Sequence, residues 1–230
     1  MSNYKGQKIS AVVPAYNEEE TIGRVVTSLL SRVNQVFVVN DSSSDNTEKK
    51  ANEAGATVIN NLANLGYDSS INRGFEKAVE NNSDIIITFD ADGQHDVSDL
   101  DKLIIPIVNR EVDIVIGRRK SRSSLGEVLF SIYTRNRFGV EDPLCGFKAY
   151  RATTYKELGY FDTLKSIGTQ LLLESIKNGY KFRTVDIKIN NRADTSRFYI
   201  NRLRGNIRII KALLRIIYRL EIASNTKRYE

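Results

Sequence analysis

The sequence predicts an α/β fold built on a doubly wound, mostly parallel sheet that is flanked by helices. Short apolar runs rich in β-branched residues recur along the first half of the chain, and amphipathic segments of helix length separate them. Such alternation implies parallel strands joined by right-handed crossovers. The hydrophobic content of 41% over 230 residues is enough for a large buried core.

The strands are predicted at residues 9–13, 36–39, 56–59, 84–89, 112–116 and 182–189. We expect the first strand to stop at Pro14, because proline has no backbone N–H to donate to a neighbouring strand. The last strand alternates apolar and polar residues, which is typical of an edge position. Besides the helices that connect the early strands, helices are predicted at residues 97–108, 125–138, 169–177 and 203–220.

The most informative stretch is Thr-Phe-Asp-Ala-Asp-Gly-Gln-His at residues 88–95. Asp90 and Asp92 are expected just past the carboxyl edge of the fourth strand, where open α/β sheets bind ligands. With the side-chain oxygen of Gln94 they form a hard-oxygen cluster suited to Mg²⁺ or Mn²⁺ bridging a diphosphate. Taken alone, the pattern fits a polar turn equally well. Asp41 ends the second strand at the same edge and is predicted to accept hydrogen bonds from a nucleobase.

Composition and missing motifs exclude several classes of protein. One cysteine, Cys145, excludes an internal disulfide, and one histidine, His95, excludes a zinc site built from several histidines. No Gly-x-Gly-x-x-Gly follows the first strand and no Gly-Lys-Ser/Thr loop is present, which disfavours dinucleotide oxidoreductases and P-loop enzymes. No signal-like stretch and no apolar run of membrane-spanning length is present, so we expect a cytoplasmic protein that is peripheral on the membrane.

The positive charge is concentrated towards the C-terminus. The net charge is +6, and residues 192–230 carry ten basic and three acidic residues. We therefore divide the chain into a domain at residues 1–200 and a basic amphipathic tail at residues 201–230. The predicted tail helix either packs on its own domain or lies on an anionic membrane, and the wide apolar arc favours membrane contact through residues 203–220. Its basic stripe consists of Arg204, Arg208, Lys211, Arg215 and Arg219.

Three motifs in order along the chain carry a family resemblance. They are Val-Val-Pro-Ala-Tyr-Asn-Glu at residues 12–18, Val-Val-Asn-Asp-Ser-Ser-Ser-Asp-Asn-Thr at 38–47, and Asp-Ala-Asp at 90–92. Together they resemble the family 2 glycosyltransferases of the GT-A fold, over roughly residues 8–200. Residues 90–95 and 142–151 further resemble the polyprenyl-phosphate sugar transferases, among them the dolichyl-phosphate mannosyltransferases.

The resemblance implies a nucleotide-binding part at about residues 8–117 and an acceptor part at about 118–200. It implies a nucleotide-sugar pocket lined by Pro14, Ala15, Tyr16, Glu18, Asp41, Asn64, Asp90 and Ala91. Asp90, Asp92 and Gln94 would hold Mg²⁺ or Mn²⁺. Asp92, Arg119 and Asp142 would be catalytic, and Arg119, Arg135 and Arg192 would bind the acceptor phosphate.

Two segments depart from the family pattern. The family's Asn-x-Gly-Lys-Gly is Asn-Leu-Gly-Tyr-Asp at residues 64–68, so a lysine expected beside the phosphates is missing. The family's Arg-x-x-Gly-x-Ser-Lys is approximated by residues 192–197, which are one residue short. Both differences concern contacts with phosphate groups.

The acceptor is predicted from an absence of carboxylates. Relatives that glycosylate a hydroxyl carry an acidic pair just before the helix expected from residue 169, and this chain has Gly-Thr-Gln at 168–170. A phosphate acceptor is already an anion and needs no general base. The arginines at 118–122 either solvate an exposed face or form an anion site, and their position after a core strand favours the anion site.

We therefore predict inverting, metal-dependent transfer of a hexose from a GDP-mannose or UDP-glucose type of donor to a polyprenyl or dolichyl phosphate at the membrane surface. The alternatives are transfer to a glycan or glycolipid hydroxyl, with Asp142 or Glu174 as base, and a nucleotide-sugar-binding subunit of a membrane complex. A separate membrane subunit remains open as a partner. A nucleic-acid partner is not expected, because the basic stripe lacks interleaved aromatic residues.

Overall fold

The computed structural model describes residues 4–120, 124–190 and 202–223, and within them a seven-stranded sheet with helices on both faces. The strands are β1 (Ile9–Ala15), β2 (Gln35–Asn40), β3 (Thr57–Asn60), β4 (Ile85–Thr88), β5 (Ile114–Arg118), β6 (Lys148–Arg151) and β7 (Phe182–Asp186). The α-helices are α1 (Ile22–Leu30), α2 (Thr47–Glu53), α3 (Tyr67–Glu80), α4 (Leu100–Val108), α5 (Leu125–Phe138), α6 (Ala152–Leu158), α7 (Gln170–Lys177) and α8 (Arg202–Ile217). A 3₁₀ turn at Val97–Asp99 precedes α4, and a π-helical turn at Tyr218–Ala223 follows α8.

The strands are arranged in the order β3-β2-β1-β4-β6-β5-β7. All neighbouring pairs are parallel except those of β6, which runs antiparallel to both β4 and β5. The predicted α/β class with a mostly parallel sheet is confirmed, and β7 lies at an edge as expected. Strand β6 and helix α6 were not predicted, because β6 has four residues with a basic residue at each end and gives no clear strand pattern.

Pro14 does not end β1, contrary to the prediction. The strand continues to Ala15, and Pro14 pairs in register with Val39 of β2. The carbonyl of Val12 accepts from the N–H of Phe89, whereas the carbonyl of Ala15 accepts from the N–H of Asp41 on the other side. Because orientation alternates along a strand, the nitrogen of Pro14 faces the β4 side beyond the last paired residue, where no sheet donor is needed.

Two apolar clusters enclose the sheet, one on each face. Alternate residues of β1 point to opposite faces, so that Ala11 and Val13 join the cluster of α1 and α4, whereas Val12 joins the cluster of α3. The second cluster also contains Phe130 of α5, Leu172 of α7 and residues of α8. The sheet is therefore buried on both faces along its central strands, as the β-branched composition predicted.

Helix α8 packs on the domain along one face. Ile209, Ala212, Ile216 and Leu220 are buried in the second apolar cluster. The side-chain oxygen of Asn206 accepts a hydrogen bond of 2.7 Å from the N–H of Gly126, at the start of α5. None of the helices in the described ranges combines the length and apolar character needed to cross a membrane.

We expect Gly74→Ala to destabilise the protein by about 1–3 kcal/mol through overpacking. Helix α3 approaches β1 so closely at Gly74 that an added Cβ would overlap the side chain of Val12. Gly23→Ala in α1 is the matched control, because its Cβ would meet only the carbonyl of Lys50 at 3.8 Å, and alanine favours a helix interior by up to about 1 kcal/mol. Chemical denaturation of the two variants checks this, and equal stability would contradict the close packing.

Candidate active site

The loops that follow β1, β2 and β4 meet at the carboxyl edge of the sheet. Asn17 adopts a left-handed backbone with φ of 51°, and its side-chain oxygen accepts from the N–H of Ser44 at 2.8 Å. The N–H of Glu18 donates to the hydroxyl of Thr47 at 2.7 Å. The hydroxyl of Thr21 donates to the carbonyl of Ala91 at 2.7 Å. These bonds place Pro14, Ala15, Tyr16 and Glu18 beside the loop after β2 and bring Ala91 next to the start of α1.

Asp41 organises the turn between β3 and α3. Its carboxylate accepts from the side-chain amide of Asn61 at 2.6 Å and from the backbone N–H groups of Leu65 and Gly66, both at 2.8 Å. Both carboxylate oxygens of Asp41 thus accept from donors of this chain. The residue is only 5% exposed. Asn64, which is exposed, directly precedes the two residues that Asp41 holds. Asp41 therefore fixes the backbone of the turn between β3 and α3 on this side of the site.

Asp90 is paired with the only histidine of the chain. Its Oδ2 lies 3.0 Å from Nε2 of His95, and the imidazole packs against the rings of Phe89 and Phe147, which also contact each other. Burial by itself raises the pKa of Asp90, but the hydrogen bond with His95 and the charges of Lys148 and Arg119 outweigh it and lower the pKa. Sequence reasoning noted His95 as part of a motif and gave it no function, whereas the structure makes it the residue that orients Asp90.

Asp92 and Gln94 lie on the same loop and are both partly exposed. The Oδ1 of Asp92 accepts from the N–H of Gln94 at 3.0 Å, and the carbonyl of Gln94 accepts from the N–H of Asn190 at 2.8 Å. In the described ranges no three His, Cys, Asp or Glu side chains are grouped as a complete metal site. Two carboxylates and one amide oxygen nevertheless fit Mg²⁺, which commonly takes one or two protein carboxylates and completes its shell with phosphate and water oxygens.

Because Gly146 has no side chain, the carboxylate of Asp90 can lie directly against the backbone at this residue. A Cβ at Gly146 would overlap the carboxylate of Asp90, and the carbonyl of Gly146 accepts from the hydroxyl of Thr88 at 2.7 Å. The backbone before β6 therefore lies directly against the acidic loop after β4. The sequence analysis did not predict this contact. The one indication in the sequence is the glycine within the motif at residues 142–151, since a glycine in a motif can mark a close approach of the backbone.

Arg119 and Asp142 form a two-point ion pair. Asp142 accepts from Nε of Arg119 at 2.9 Å and from Nη2 at 2.8 Å, and also from its backbone N–H at 3.0 Å. The same Nη2 lies 3.3 Å from Glu127 at the start of α5. Burial raises the pKa of Asp142, but the bonds to Arg119 outweigh it and lower the pKa. Asp142 therefore stays ionised and holds the guanidinium, which makes it poorly suited to accept a proton.

The predicted arginines that lie in the described ranges are not grouped. Arg118 pairs with Glu141 at 2.6 Å and with Asp186 at 2.7 Å. Arg135 is exposed in the last turn of α5, eight residues beyond the Glu127 that contacts Arg119, which is about 12 Å along the helix axis. Arg192 lies outside the described residues. Of the three predicted phosphate-binding arginines, only Arg119 is shown beside the carboxylates of the site.

A buried lysine lies beneath the site. Lys148 of β6 is 1% exposed, and its Nζ donates to the carbonyl of Gly168 at 3.2 Å. Burial lowers the pKa of Lys148, and the charges of Cys145, Asp142 and Asp90 act in the opposite direction. The sequence analysis gave Lys148 no function, because lysine side chains are usually exposed.

The two carboxylates considered as alternative bases are both engaged internally. Asp142 holds Arg119 as described. Glu174 of α7 accepts from the hydroxyl of Tyr160 at 2.6 Å, the amide of Gln170 at 2.9 Å and Nε of Arg219 at 3.0 Å. The residues just before α7, Gly168 and Thr169, are buried and supply no acid.

Solved structures share this fold. The glucosyl-3-phosphoglycerate synthase of Mycobacterium tuberculosis, crystallised with Mn²⁺, uridine diphosphate and phosphoglyceric acid, matches with a TM-score of 0.72 and 20% identity. The match covers 94% of this chain and 80% of that chain. At this identity the likeness concerns the fold.

Curated relatives share the sequence. The UDP-N-acetylglucosamine–dolichyl-phosphate N-acetylglucosaminyltransferase of Methanococcus voltae is 30% identical over 213 residues, covering 78% of this chain and 84% of the relative. The dolichol-phosphate mannosyltransferase of Pyrococcus furiosus is 30% identical over 202 residues, covering 78% of this chain and 55% of the relative.

The family model described as glycosyl transferase family 2 matches residues 10–172. This range begins in β1 and ends in α7, and it contains Asp41, Asp90, Asp92, Arg119 and Asp142. The family model, the relatives and the shared fold thus agree with a ligand site built from the loops at the carboxyl edge of the sheet. The chain belongs to glycosyl transferase family 2 and is a glycosyltransferase that uses a nucleotide sugar.

Proposed function

We propose that this protein transfers a hexose from a GDP-mannose or UDP-glucose type of donor to a polyprenyl or dolichyl phosphate at the membrane surface. One observation carries the choice of acceptor. The residues before α7 supply no acid, and Asp142 and Glu174 are both held by arginines of the same chain. A hydroxyl acceptor needs a base to take its proton, whereas a phosphate does not.

The names of the relatives support the same acceptor class. The Methanococcus voltae and Pyrococcus furiosus proteins are both named for transfer to a dolichyl phosphate. Their sugars differ, since one name specifies N-acetylglucosamine and the other mannose. The likeness therefore bears on the acceptor and leaves the hexose and the base of the donor to be measured.

The donor is proposed to bind over the carboxyl ends of β1 and β2. Pro14, Ala15, Tyr16 and Glu18 would line one wall, with Tyr16 the most exposed of them. Asn64 would approach from the turn that Asp41 holds in place. Asp90 and Ala91 would lie beneath the diphosphate, because the bond from Thr21 fixes the carbonyl of Ala91 against this wall.

Asp90, Asp92 and Gln94 would hold a divalent cation, Mg²⁺ or Mn²⁺, which when bound neutralises charge on the leaving diphosphate. His95 and Gly146 keep the Asp90 carboxylate in one orientation, from one side by a hydrogen bond and from the other by contact. Asp90 and Asp92 are both partly exposed, so both carboxylates can reach a ligand above the loop.

Arg119 is proposed to bind the acceptor phosphate. Asp142 and Glu127 fix its guanidinium at the edge of the acidic loop, where it would offset the repulsion between the acceptor phosphate and the carboxylates. The acceptor oxygen would then attack the anomeric carbon from the face opposite the departing diphosphate, with inversion. Arg135 and Arg192 remain predicted contributors, with Arg135 lying further from the acidic loop.

Membrane contact is proposed through the side of α8 that faces away from the core. Leu203, Ile207, Leu214 and Tyr218 are all exposed, and on a helix they lie roughly opposite the buried stripe of Ile209, Ala212 and Ile216. We call these four residues the outer apolar surface. Basic residues flank it along the same helix, which is the arrangement of helices that lie in an anionic interface.

The deciding experiment offers radiolabelled nucleotide sugars with Mg²⁺ or Mn²⁺ to a short polyprenyl phosphate and to the matching polyprenol. We expect label to move only to the phosphate. Asp92→Asn should lower transfer at least about 100-fold, because it removes a charged oxygen from the proposed cation site. Asp96→Asn, which removes a carboxylate from the same loop, is the control. Transfer to the polyprenol, or full activity of Asp92→Asn, would contradict the proposal.

We expect Gly146→Ala to reduce kcat/KM for transfer by roughly 10- to 100-fold, since displacement of Asp90 by an ångström misaligns the donor. Gly23→Ala serves as the control for adding one methyl group at a glycine without a close neighbour. Steady-state kinetics and thermal unfolding are measured on both variants. Unchanged kinetics in a folded Gly146→Ala protein would show that the position of Asp90 is unimportant.

We expect Leu214→Glu to weaken co-sedimentation with anionic liposomes about tenfold or more, because an exposed leucine that enters the interface contributes about 1.5–3 kcal/mol. Leu62→Glu is the matched control, since Leu62 is fully exposed near β3 and lies outside the outer apolar surface. Equal loss of binding in both variants would indicate a general charge effect and would argue against membrane contact through α8.

A further inference from the structure

A cavity of about 480 Å³ lies between the N-terminus of α3 and the side of α8. None of the described residues that line it belongs to the loop at residues 90–95, and the predicted site does not include the cavity. Five basic side chains line it, and we call it the basic pocket. They are Lys165, Arg204, Arg208, Lys211 and Arg215.

The basic pocket brings together cations from two parts of the chain. Four belong to α8 at spacings of four, three and four residues, which places them on one face of the helix. Lys165 comes from the loop between α6 and α7, and its carbonyl accepts from Nη1 of Arg215 at 3.3 Å. The loop and the helix are thereby tied together at the rim of the cavity.

Among the described lining residues, one carboxylate faces these cations. Asp68 of α3 is 6% exposed and accepts from the N–H of Gly168 at 2.7 Å and that of Ile167 at 3.4 Å. Burial, and next the charge of Asp162, raise the pKa of Asp68 to about 6. Among the described residues that line the cavity, cations outnumber carboxylates by five to one. Like charges around a shared cavity repel each other, and a bound anion would relieve that repulsion.

Neutral donors complete the lining. The first backbone N–H groups of a helix have no partner within the helix and carry partial positive charge, so the start of α3 at Tyr67 adds to the attraction for an anion. Ser69, also in the first turn, contributes a hydroxyl to the lining. A volume of 480 Å³ is within the range of small-molecule pockets and leaves space beyond a single phosphate group.

The basic pocket adjoins both the proposed donor site and the outer apolar surface. Its residues Leu65 and Gly66 donate their N–H groups to Asp41, and the ring of Tyr67 packs beside Gly168. Ile207 lines the cavity and belongs to the outer apolar surface. A ligand with a phosphate head and an apolar chain could therefore place its phosphate in the basic pocket and its chain along the outer apolar surface.

We propose that the basic pocket binds the phosphate head of a membrane lipid, either a bulk anionic phospholipid or a polyprenyl phosphate before that acceptor reaches Arg119. The inference rests on the proposed function for its connection to transfer.

The test compares Lys165→Gln/Lys211→Gln with Lys156→Gln/Lys181→Gln. Each variant replaces two exposed lysines, and only the first pair lines the basic pocket. Co-sedimentation is measured with phosphatidylcholine vesicles that contain either anionic phospholipid or polyprenyl phosphate. The KM for short polyprenyl phosphate and the KM for the donor are measured separately.

We expect the pocket variant to lose about tenfold in binding to vesicles with at least one of the two phosphate lipids, while the control variant matches the unmodified protein. A raised KM for polyprenyl phosphate identifies the acceptor as the ligand. An unchanged KM with weaker binding to anionic phospholipid identifies the bulk headgroup.

Two outcomes would overturn the inference. A raised donor KM without any change in vesicle binding would assign the pocket to the nucleotide sugar, and equal behaviour of both variants would show that it binds no lipid phosphate. Because the vesicle measurements need no turnover, they remain informative even if the protein transfers sugar to another acceptor.

Discussion

The antiparallel pairing of β6 with β4 is the constraint on which the candidate active site depends. Because the strands run in opposite directions, the loop that enters β6 lies at the same edge where β4 ends, with Thr88 paired to Lys148. This brings Gly146 against Asp90 and places Asp142 within reach of Arg119. A parallel strand in this position would begin at the opposite edge of the sheet and would carry none of these residues to the acidic loop.

The same pairing concentrates charge in a poorly solvated part of the molecule. Asp142 and Lys148 are almost fully buried, and Arg119 and Asp90 are partly covered. Buried charges are tolerated when they are paired and hydrogen-bonded. Here Arg119 satisfies Asp142, His95 satisfies one oxygen of Asp90, and Gly168 receives a bond from Lys148. The acidic loop is thus held by contacts within the protein itself.

Much of the fold could be predicted from the sequence, since central strands such as β2 and β4 are continuous apolar runs that only a buried sheet explains. Strand β6 could not, because a buried lysine within four residues contradicts the usual pattern. For the site, the acidic loop was found from its motif, whereas the contact of Gly146 with Asp90 joins residues 56 apart and depends on how the strands pair. For α8, periodicity gave a basic stripe and an apolar arc but not which part of each would meet the domain.

Helix α8 contributes to three regions at once: the apolar core, the basic pocket and the outer apolar surface. The helix therefore fixes the orientation in which the domain would approach a bilayer, with the N-terminal end of α3 and the carboxyl edge of the sheet on the side of α8. Any lipid that binds the docked helix and not a detached one also stabilises its packing against α5 by mass action. Under the proposed membrane contact, lipid binding and the packing of α8 would be coupled equilibria, so that the free energy of unfolding of this domain would be larger on a membrane than in solution.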